Sequence, residues 1–464
     1  MKNNTSRGFM SIFNTHVSIY ELDKIFKKAK SIFFVGIGGI SMSSLAEYCI
    51  YHEKNVFGYD ASRGDVCKNL EKRAHIRYCS SPDNVMGMDL VVYSNAIDKD
   101  NFEIKTATAL KIPLVSRSNF LAYIMSNYRV RIGVSGTHGK STLTSMLGRI
   151  FRYAGYDPTV ICGAKMKEFN APFRFGRREY FIFEACEYMN SFLNFIPTDA
   201  IVTNIDFDHP DFFEDLGHIQ RSFRKFILPS QRVYINADDS PSSVLSHPFK
   251  ITFGFSPDAD YVAKPISCDN KNSFLVIHNG KEIARVDLSI SGRYNISNAI
   301  CAFAVAHQHK IAPVTIATAL SSFEGVARRQ ELIKRITNKN GDEVCVFLDY
   351  AHHPTEIKAS LGAFREMGYK NILCVFQSHT FSRTSALYGE FLSAFGDATE
   401  LIFAPIFSAR EQNTFNLSEE KMANELGARY ISDLSEIANA IKDSASDCVV
   451  IMGAGDIDKL KNYI

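Results

Sequence analysis

The chain has 464 residues, 46% apolar and 22% charged, and its 52 basic side chains nearly balance 50 acidic ones, for a formal net charge of +2. At ~150 residues per domain this is a globular chain of about three domains, and with only 27 Gly and 14 Pro it is neither collagenous, low-complexity nor wholly disordered. No global positive field exists to hold a nucleic acid by counterion release, so an anionic ligand has to be gripped locally.

The first thirty residues lack the apolar core of a secretory signal, and no run of 18 uninterrupted apolar residues follows anywhere, so neither export nor a membrane span is expected. The ten cysteines show no CxxC pair and read as reduced thiols of a cytoplasmic protein. An apolar run from Ser31 then feeds a glycine loop, Gly36-Ile37-Gly38-Gly39-Ile40-Ser41-Met42-Ser43-Ser44, and Asp60 follows a second strand. This pattern suits a dinucleotide or a nucleotide-sugar diphosphate. Ser41 stands where a third glycine would complete the dinucleotide fingerprint, so an NAD site and a purely structural turn both stay open. Further on, 89–93 reads as a strand, and 116–128 as a helix that closes the first unit near residue 127.

A new strand at 130–135 enters Gly136-Thr137-His138-Gly139-Lys140-Ser141-Thr142, ahead of a helical pattern over 143–152. Backbone N–H groups, a lysine and a helix start combine here into a cradle for nucleotide phosphates, and the Ser141 hydroxyl is a candidate Mg²⁺ ligand. The spacing departs from strict GxxxxGK[ST], which wants a glycine where Val134 stands. Two more strands end in polar groups, at Glu184-Ala-Cys-Glu187 and at Asn204-Ile-Asp206-Phe-Asp208-His209, expected beside the cradle at one sheet edge and suited to Mg²⁺. Asn295 and Asn298 lie one turn apart where a helix opens, either as caps or as ligand contacts. A helical stretch over 299–322 precedes a second boundary near 325.

Beyond it a strand pattern starts at Glu331. Asp349-Tyr350-Ala-His352-His353-Pro354-Thr355-Glu356 follows a strand and starts a helix at its proline, and adjacent histidines face different ways, which favours recognition over shared metal ligation. After the strand at 371–376, His379 and Arg383 are placed where an anionic or acyl-phosphate group could be clamped. A last apolar run, 448–452, again ends in a glycine turn. Alternating strands and helices predict an α/β protein of three domains, 1–127, 128–325 and 326–464, with parallel sheets.

Taken in order, GIGGISMS, GTHGKST, EACE, NIDFDH, GRYNISN, FEGVARR, DYAHHPTE and FQSHTFSR resemble the ATP-dependent Mur ligases of peptidoglycan synthesis, over roughly residues 31–456. Within them the chain is most similar to the branch that adds L-alanine to UDP-N-acetylmuramate. The resemblance implies a Rossmann-like domain for the UDP sugar, a central P-loop ATPase-type domain and a Rossmann-like C-terminal domain that closes over the amino acid. It also implies roles. Gly36, Gly38, Gly39, Ser41, Met42 and Ser43 would contact the uridine diphosphate, with Asp60 near the uridine. Lys140 would neutralise the β,γ-phosphates, and Ser141, Glu184 and His209 would hold Mg²⁺. Asn295 and Asn298 would meet the adenine, Arg329 and Asp349 the rest of the nucleotide, and His352, His379 and Arg383 the sugar carboxylate and incoming amine. Departures are Ser44 for a usual glycine, Tyr294 for a usual histidine, Pro210 after His209, and Phe223 where later ligases carry a carbamylated lysine. Two alternatives are a ligase of the same fold that recycles a tripeptide onto UDP-N-acetylmuramate, and an NAD-dependent oxidoreductase using Gly36 to Gly39.

Overall fold

Three separate sheets account for the apolar runs. The computed structural model describes residues 17–94, 96–98, 100–266, 272–409 and 411–464. The chain divides into two compact units, Met1–Tyr128 and Arg129–Ile464, the second holding two of the sheets.

In the first unit five parallel strands run in the order His75–Arg77, Asn55–Tyr59, Ser31–Val35, Leu90–Tyr93, Leu114–Ser116. The first-entered strand is central because four of its five residues are fully buried, as a two-faced parallel sheet requires. The reversal of strand order beside it opens a crevice at its carboxyl end, where the glycine loop lies. The helix Arg117–Ser126 ends the unit, capped by Ser116.

The central sheet has ten strands, in the order Lys281–Leu288, Asn272–His278, Tyr261–Ile266, Lys250–Gly254, Arg232–Asn236, Asp199–Val202, Val130–Ser135, Tyr180–Glu184, Thr159–Met166, Ala171–Arg174. Its middle is parallel, as expected, but both edges are antiparallel: Ala171–Arg174 pairs back on one side, and the strands from Tyr261 to Leu288 form a meander on the other. These edge strands are less buried than the central ones, with half-buried or exposed positions throughout, as antiparallel strands with one partly wet face allow. The expected single helical stretch over 299–322 is two helices, Arg293–Gln308 and Pro313–Ser321. Lys310 takes a left-handed φ of 65°, and Pro313 has no N–H to continue the first helix.

The C-terminal sheet runs Glu331–Thr337, Glu343–Asp349, Cys448–Met452, Ile372–His379, Glu400–Phe407, Arg429–Tyr430, parallel except for its first strand. Apolar clusters fill both faces, one with Phe364, Phe376 and Phe391, the other with Val346, Val375 and Ile437. Among the described residues no helix is long and apolar enough to cross a membrane.

Candidate active site

The strand Val130–Ser135 lies between Asp199–Val202 and Tyr180–Glu184, so the loops that leave all three carboxyl ends meet. Gly136 has φ 132°, and a Cβ there would stand 2.0 Å from Thr203 Oγ1, so no other residue fits. The neighbouring loop clamps this turn: Thr137 N donates to Asn204 O at 3.1 Å, His138 N to Asn204 Oδ1 at 2.8 Å, and Thr203 Oγ1 to His138 O at 2.7 Å. The helix Lys140–Tyr153 starts immediately after, with its N-terminus and dipole facing the loop. Lys140 Nζ donates to Gly136 O at 2.6 Å, Thr137 O at 3.0 Å, and both Glu187 oxygens at 3.1 and 3.2 Å. Burial alone would lower its pKa, but the Glu187 carboxylate outweighs this and holds the ammonium charged well beyond its ordinary range.

Glu184 ends the next strand. Its Oε1 accepts from Gly163 N at 2.6 Å and from the Cys162 thiol at 3.1 Å, and the same sulfur lies 3.5 Å from Ser141 O. One carboxylate oxygen is thereby pinned beside the start of the phosphate-loop helix while Oε2 is left for a ligand. His209 takes φ 57°, and its Nε2 lies 4.0 Å from Glu187 Oε1. Burial lowers its pKa, which keeps the imidazole in the neutral form that ligates metals. A carboxylate, a hydroxyl and a neutral imidazole around one loop are an oxygen-rich set that suits a Mg²⁺ ion sharing nucleotide phosphates.

His138 is the junction between the central and C-terminal sheets. Its Nε2 is 3.1 Å from Asp206 Oδ2 and its Nδ1 is 3.4 Å from Glu356 Oε1. Glu356 also accepts from Arg329 Nη1 at 3.3 Å and His352 N at 3.2 Å. Burial opposes protonation of His138, yet the two carboxylates raise its pKa from 6.5 to about 9. Asp206, His138 and His353 could each turn one ligand atom toward a metal. The hydrogen bonds account for them otherwise, because His353 Nδ1 accepts from Thr355 N, its Nε2 donates to Phe207 O, and both His138 nitrogens face carboxylates. Since the folded pKa of His138 is raised, its contribution to stability is complete below 6.5 and is lost as pH rises through about 9. Thermal unfolding followed from about pH 7 to about pH 10 should show a fall in Tm that His138→Gln largely removes.

A cavity of about 690 Å³ opens beside this junction, of a size for a nucleotide. His138, Gly139, Thr142, Asn295, Asn298, Arg329 and Asp349 line it, together with Tyr294. The two asparagines sit in the first turns of the helix Arg293–Gln308, where Asn295 Nδ2 donates to Ser291 O at 2.6 Å. Asp349 accepts from Gln330 N at 3.0 Å and Ala351 N at 2.8 Å, and burial raises its pKa despite Arg329. Lys140, Ser141, Glu184, His209, His352, His379 and Arg383 do not line this cavity. Arg383 Nε donates to Asp208 Oδ1 at 2.8 Å, and Arg383 Nη1 lies 3.1 Å from His379 Nδ1. His352 and His379 meet edge to face with centroids 6.0 Å apart.

The glycine loop at residues 36–39 belongs to the first compact unit. Gly38 N donates to Asp60 Oδ2 at 2.8 Å, so Asp60 braces the loop, and Ser62 N donates to its other oxygen at 3.0 Å. Ser41 Oγ accepts from Arg117 Nη1 at 2.9 Å, Ser43 and Ser44 hydroxyls donate to Ile40 O, and Met42 is buried. Phe223 is fully buried and packs edge-on against Phe192 at 5.2 Å, an apolar setting with no place for a charged lysine.

Sequence reasoning places Glu187, Asp206 and Asp208 in runs suited to Mg²⁺ without naming any of them as a ligand, and it gives Glu356 no site role. Their partners, Lys140, His138, Arg383 and Arg329, explain why: an acidic residue at a strand end shows its type but not its counter-ion.

A glycine-rich phosphate loop at the centre of a parallel sheet, facing a second α/β sheet across a nucleotide-sized cavity, defines a phosphate-loop α/β chain with a separate glycine-loop unit. Three family models match in sequence order: Mur ligase family, catalytic domain, over 31–129; Mur ligase middle domain over 134–306; and Mur ligase, glutamate ligase domain, over 328–455. The chain belongs to the Mur ligase family, which sets aside the NAD-dependent alternative. It is 38% identical over 449 residues to the UDP-N-acetylmuramate--L-alanine ligase of Clostridium tetani, covering 93% of this chain and 97% of that protein. The crystal structure of UDP-N-acetylmuramate-alanine ligase MurC from Thermotoga maritima is similar over 93% of this chain and 97% of its own, with TM-score 0.80 and 26% identity. A murein peptide ligase of Psychrobacter arcticus shares the fold, with TM-score 0.69 and 23% identity over 94% of this chain and 97% of its own.

Proposed function

We propose that this chain is an ATP-dependent amide-forming ligase that joins L-alanine to the carboxylate of UDP-N-acetylmuramate in peptidoglycan precursor synthesis. The observation that carries the reading is the charged Lys140, held in a glycine cradle beside the cavity, in a chain similar over nearly its full length to relatives named for this reaction. Residues 1–127 bind the UDP sugar, 128–325 hold ATP, and 326–464 supply the amino-acid end. All nine described cysteines are free thiols, in keeping with a cytoplasmic location.

A carboxylate is a poor acyl donor. Its oxygen attacks the γ-phosphorus of ATP, ADP leaves, and the resulting acyl phosphate is attacked by the free amine of alanine to give a tetrahedral centre that expels phosphate, which carries away the amine proton. No covalent bond to the protein is needed, so the side chains position groups and balance charge. Lys140 stays protonated and faces the phosphates, while the helix N-terminus behind it adds its dipole. Asn295, Asn298, Arg329 and Asp349 orient the nucleotide, His352 and His379 flank the reacting carboxyl group, and Arg383, paired with Asp208 and not free to clamp the group itself, holds His379. Ser141, Glu184 and His209 would hold Mg²⁺, which when bound supplies further neutralisation of the phosphate charge.

The tripeptide-adding alternative leans on the acidic run around Asp206 and Asp208, but both carboxylates are engaged internally, with His138 and Arg383. Product formation from ATP, UDP-N-acetylmuramate and either free L-alanine or L-alanyl-γ-D-glutamyl-diaminopimelate tests the choice. L-Alanine should give the higher kcat/KM; a preference for the tripeptide would move the chain to the recycling branch.

A further inference from the structure

Arg383 begins a relay that crosses from one sheet to the other. It lies on the short helix Phe381–Ala386 after the strand Ile372–His379, whereas Asp208 lies on the loop after the strand Asp199–Val202, 175 residues away in sequence. Arg383 Nε donates to Asp208 Oδ1 at 2.8 Å and Nη2 to Asp208 Oδ2 at 3.3 Å, a two-point grip between side chains only 7% and 8% exposed. The third nitrogen, Nη1, lies 3.1 Å from His379 Nδ1 and 3.4 Å from His379 O. The guanidinium is therefore spent on these partners, and its fork is not free to hold a ligand.

A guanidinium carries donors only, so His379 Nδ1 can meet it only as an acceptor. That leaves the single ring proton of His379 on Nε2, on the side of the ring away from Arg383. Stacking on Phe407, with centroids 5.6 Å apart and planes at 23°, fixes the ring plane. Burial, with help from His352 and Arg383, lowers the pKa of His379 to about 4, in agreement with a neutral ring.

We propose that Asp208 is a positioning residue which, through Arg383, locks His379 as the Nε2–H tautomer, so that His379 meets the reacting carboxyl group as a hydrogen-bond donor and not as a base. The donor role rests on the ligase reading given above. An Nε2–H aimed at the carboxyl oxygen stabilises the negative charge that builds there as the amine attacks, and it has no Nε2 lone pair with which to take the amine proton. Asp208 touches no substrate in this scheme. It acts by fixing which nitrogen of His379 carries the proton, as second partners of ligating or catalytic imidazoles do.

The test is a long-range ¹H–¹⁵N correlation spectrum of the full chain labelled at histidine, with the His379 signals identified by their loss in His379→Gln. The expected pattern at neutral pH is a protonated Nε2 and a bare Nδ1, and Asp208→Asn should mix the two tautomers. Kinetically, Asp208→Asn should lower kcat on the order of 10–100-fold with little change in KM for ATP. Should that variant fail to fold, Arg383→Lys breaks the same two-point grip. His379→Gln, which can still offer an N–H near the Nε2 position, should stay within ~10-fold of wild type, whereas His379→Ala should lose ~100-fold or more. A wild-type Nδ1–H tautomer, an imidazolium, or a glutamine variant as inactive as the alanine variant would overturn the proposal. The spectrum needs no substrate, so it fails or holds independently of whether the chain adds alanine.

Discussion

Lys140→Ala is expected to cut turnover by at least ~1,000-fold, equivalent to about 4 kcal/mol of transition-state stabilisation. The ammonium sits at the mouth of the glycine cradle, held by two loop carbonyls and by Glu187, and a neighbouring carboxylate keeps it charged. Removing it takes away a fixed positive side chain of the phosphate loop and also leaves Glu187 buried without its counter-ion. Both changes disfavour a polyanionic nucleotide. UDP-N-acetylmuramate binding should be nearly unchanged, because the glycine loop at 36–39 belongs to the other compact unit. Titration of the variant with the sugar nucleotide, alongside turnover, checks this; loss of both together would show that the two nucleotides do not use separate units.

Glu184→Gln should retain the fold and lose at least ~100-fold in turnover, about 3 kcal/mol. The substitution is nearly isosteric, and the glutamine oxygen can still accept from Gly163 N and the Cys162 thiol. Its NH₂ group would then occupy the Oε2 position, presenting a donor where a cation needs an acceptor. The loss should therefore persist at saturating Mg²⁺, with an unaltered unfolding temperature. Near-normal rates at high Mg²⁺ would contradict a ligand role for Glu184.

How far the sequence discloses such a site depends on the range of the interactions. Gly136, Lys140 and Ser141 are legible because a strand, a glycine turn and a helix start are set by neighbours, and the parallel core follows from apolar runs that alternate with helices. The pairing of Lys140 with Glu187 spans 47 residues, and that of Arg383 with Asp208 spans 175, so no local spacing encodes either. The same holds for His138, which reads as one more loop residue until Asp206 and Glu356 are brought to its two nitrogens. At the sheet edges the antiparallel meander from Tyr261 to Leu288 escapes notice because no ligand-bearing residue marks it. The break between the helices at Gln308 and Pro313 had a visible signal in its proline, outweighed by apolar periodicity on both sides.

The most direct measurement is phosphate release from ATP by the whole chain with Mg²⁺, first alone, then with UDP-N-acetylmuramate, then with L-alanine added. Activation of the sugar carboxylate predicts negligible release from ATP alone and sustained release only when both the sugar nucleotide and alanine are present, with one alanine joined per phosphate. Equal release without UDP-N-acetylmuramate would contradict the account, because the phosphate acceptor would then be water and not the carboxylate.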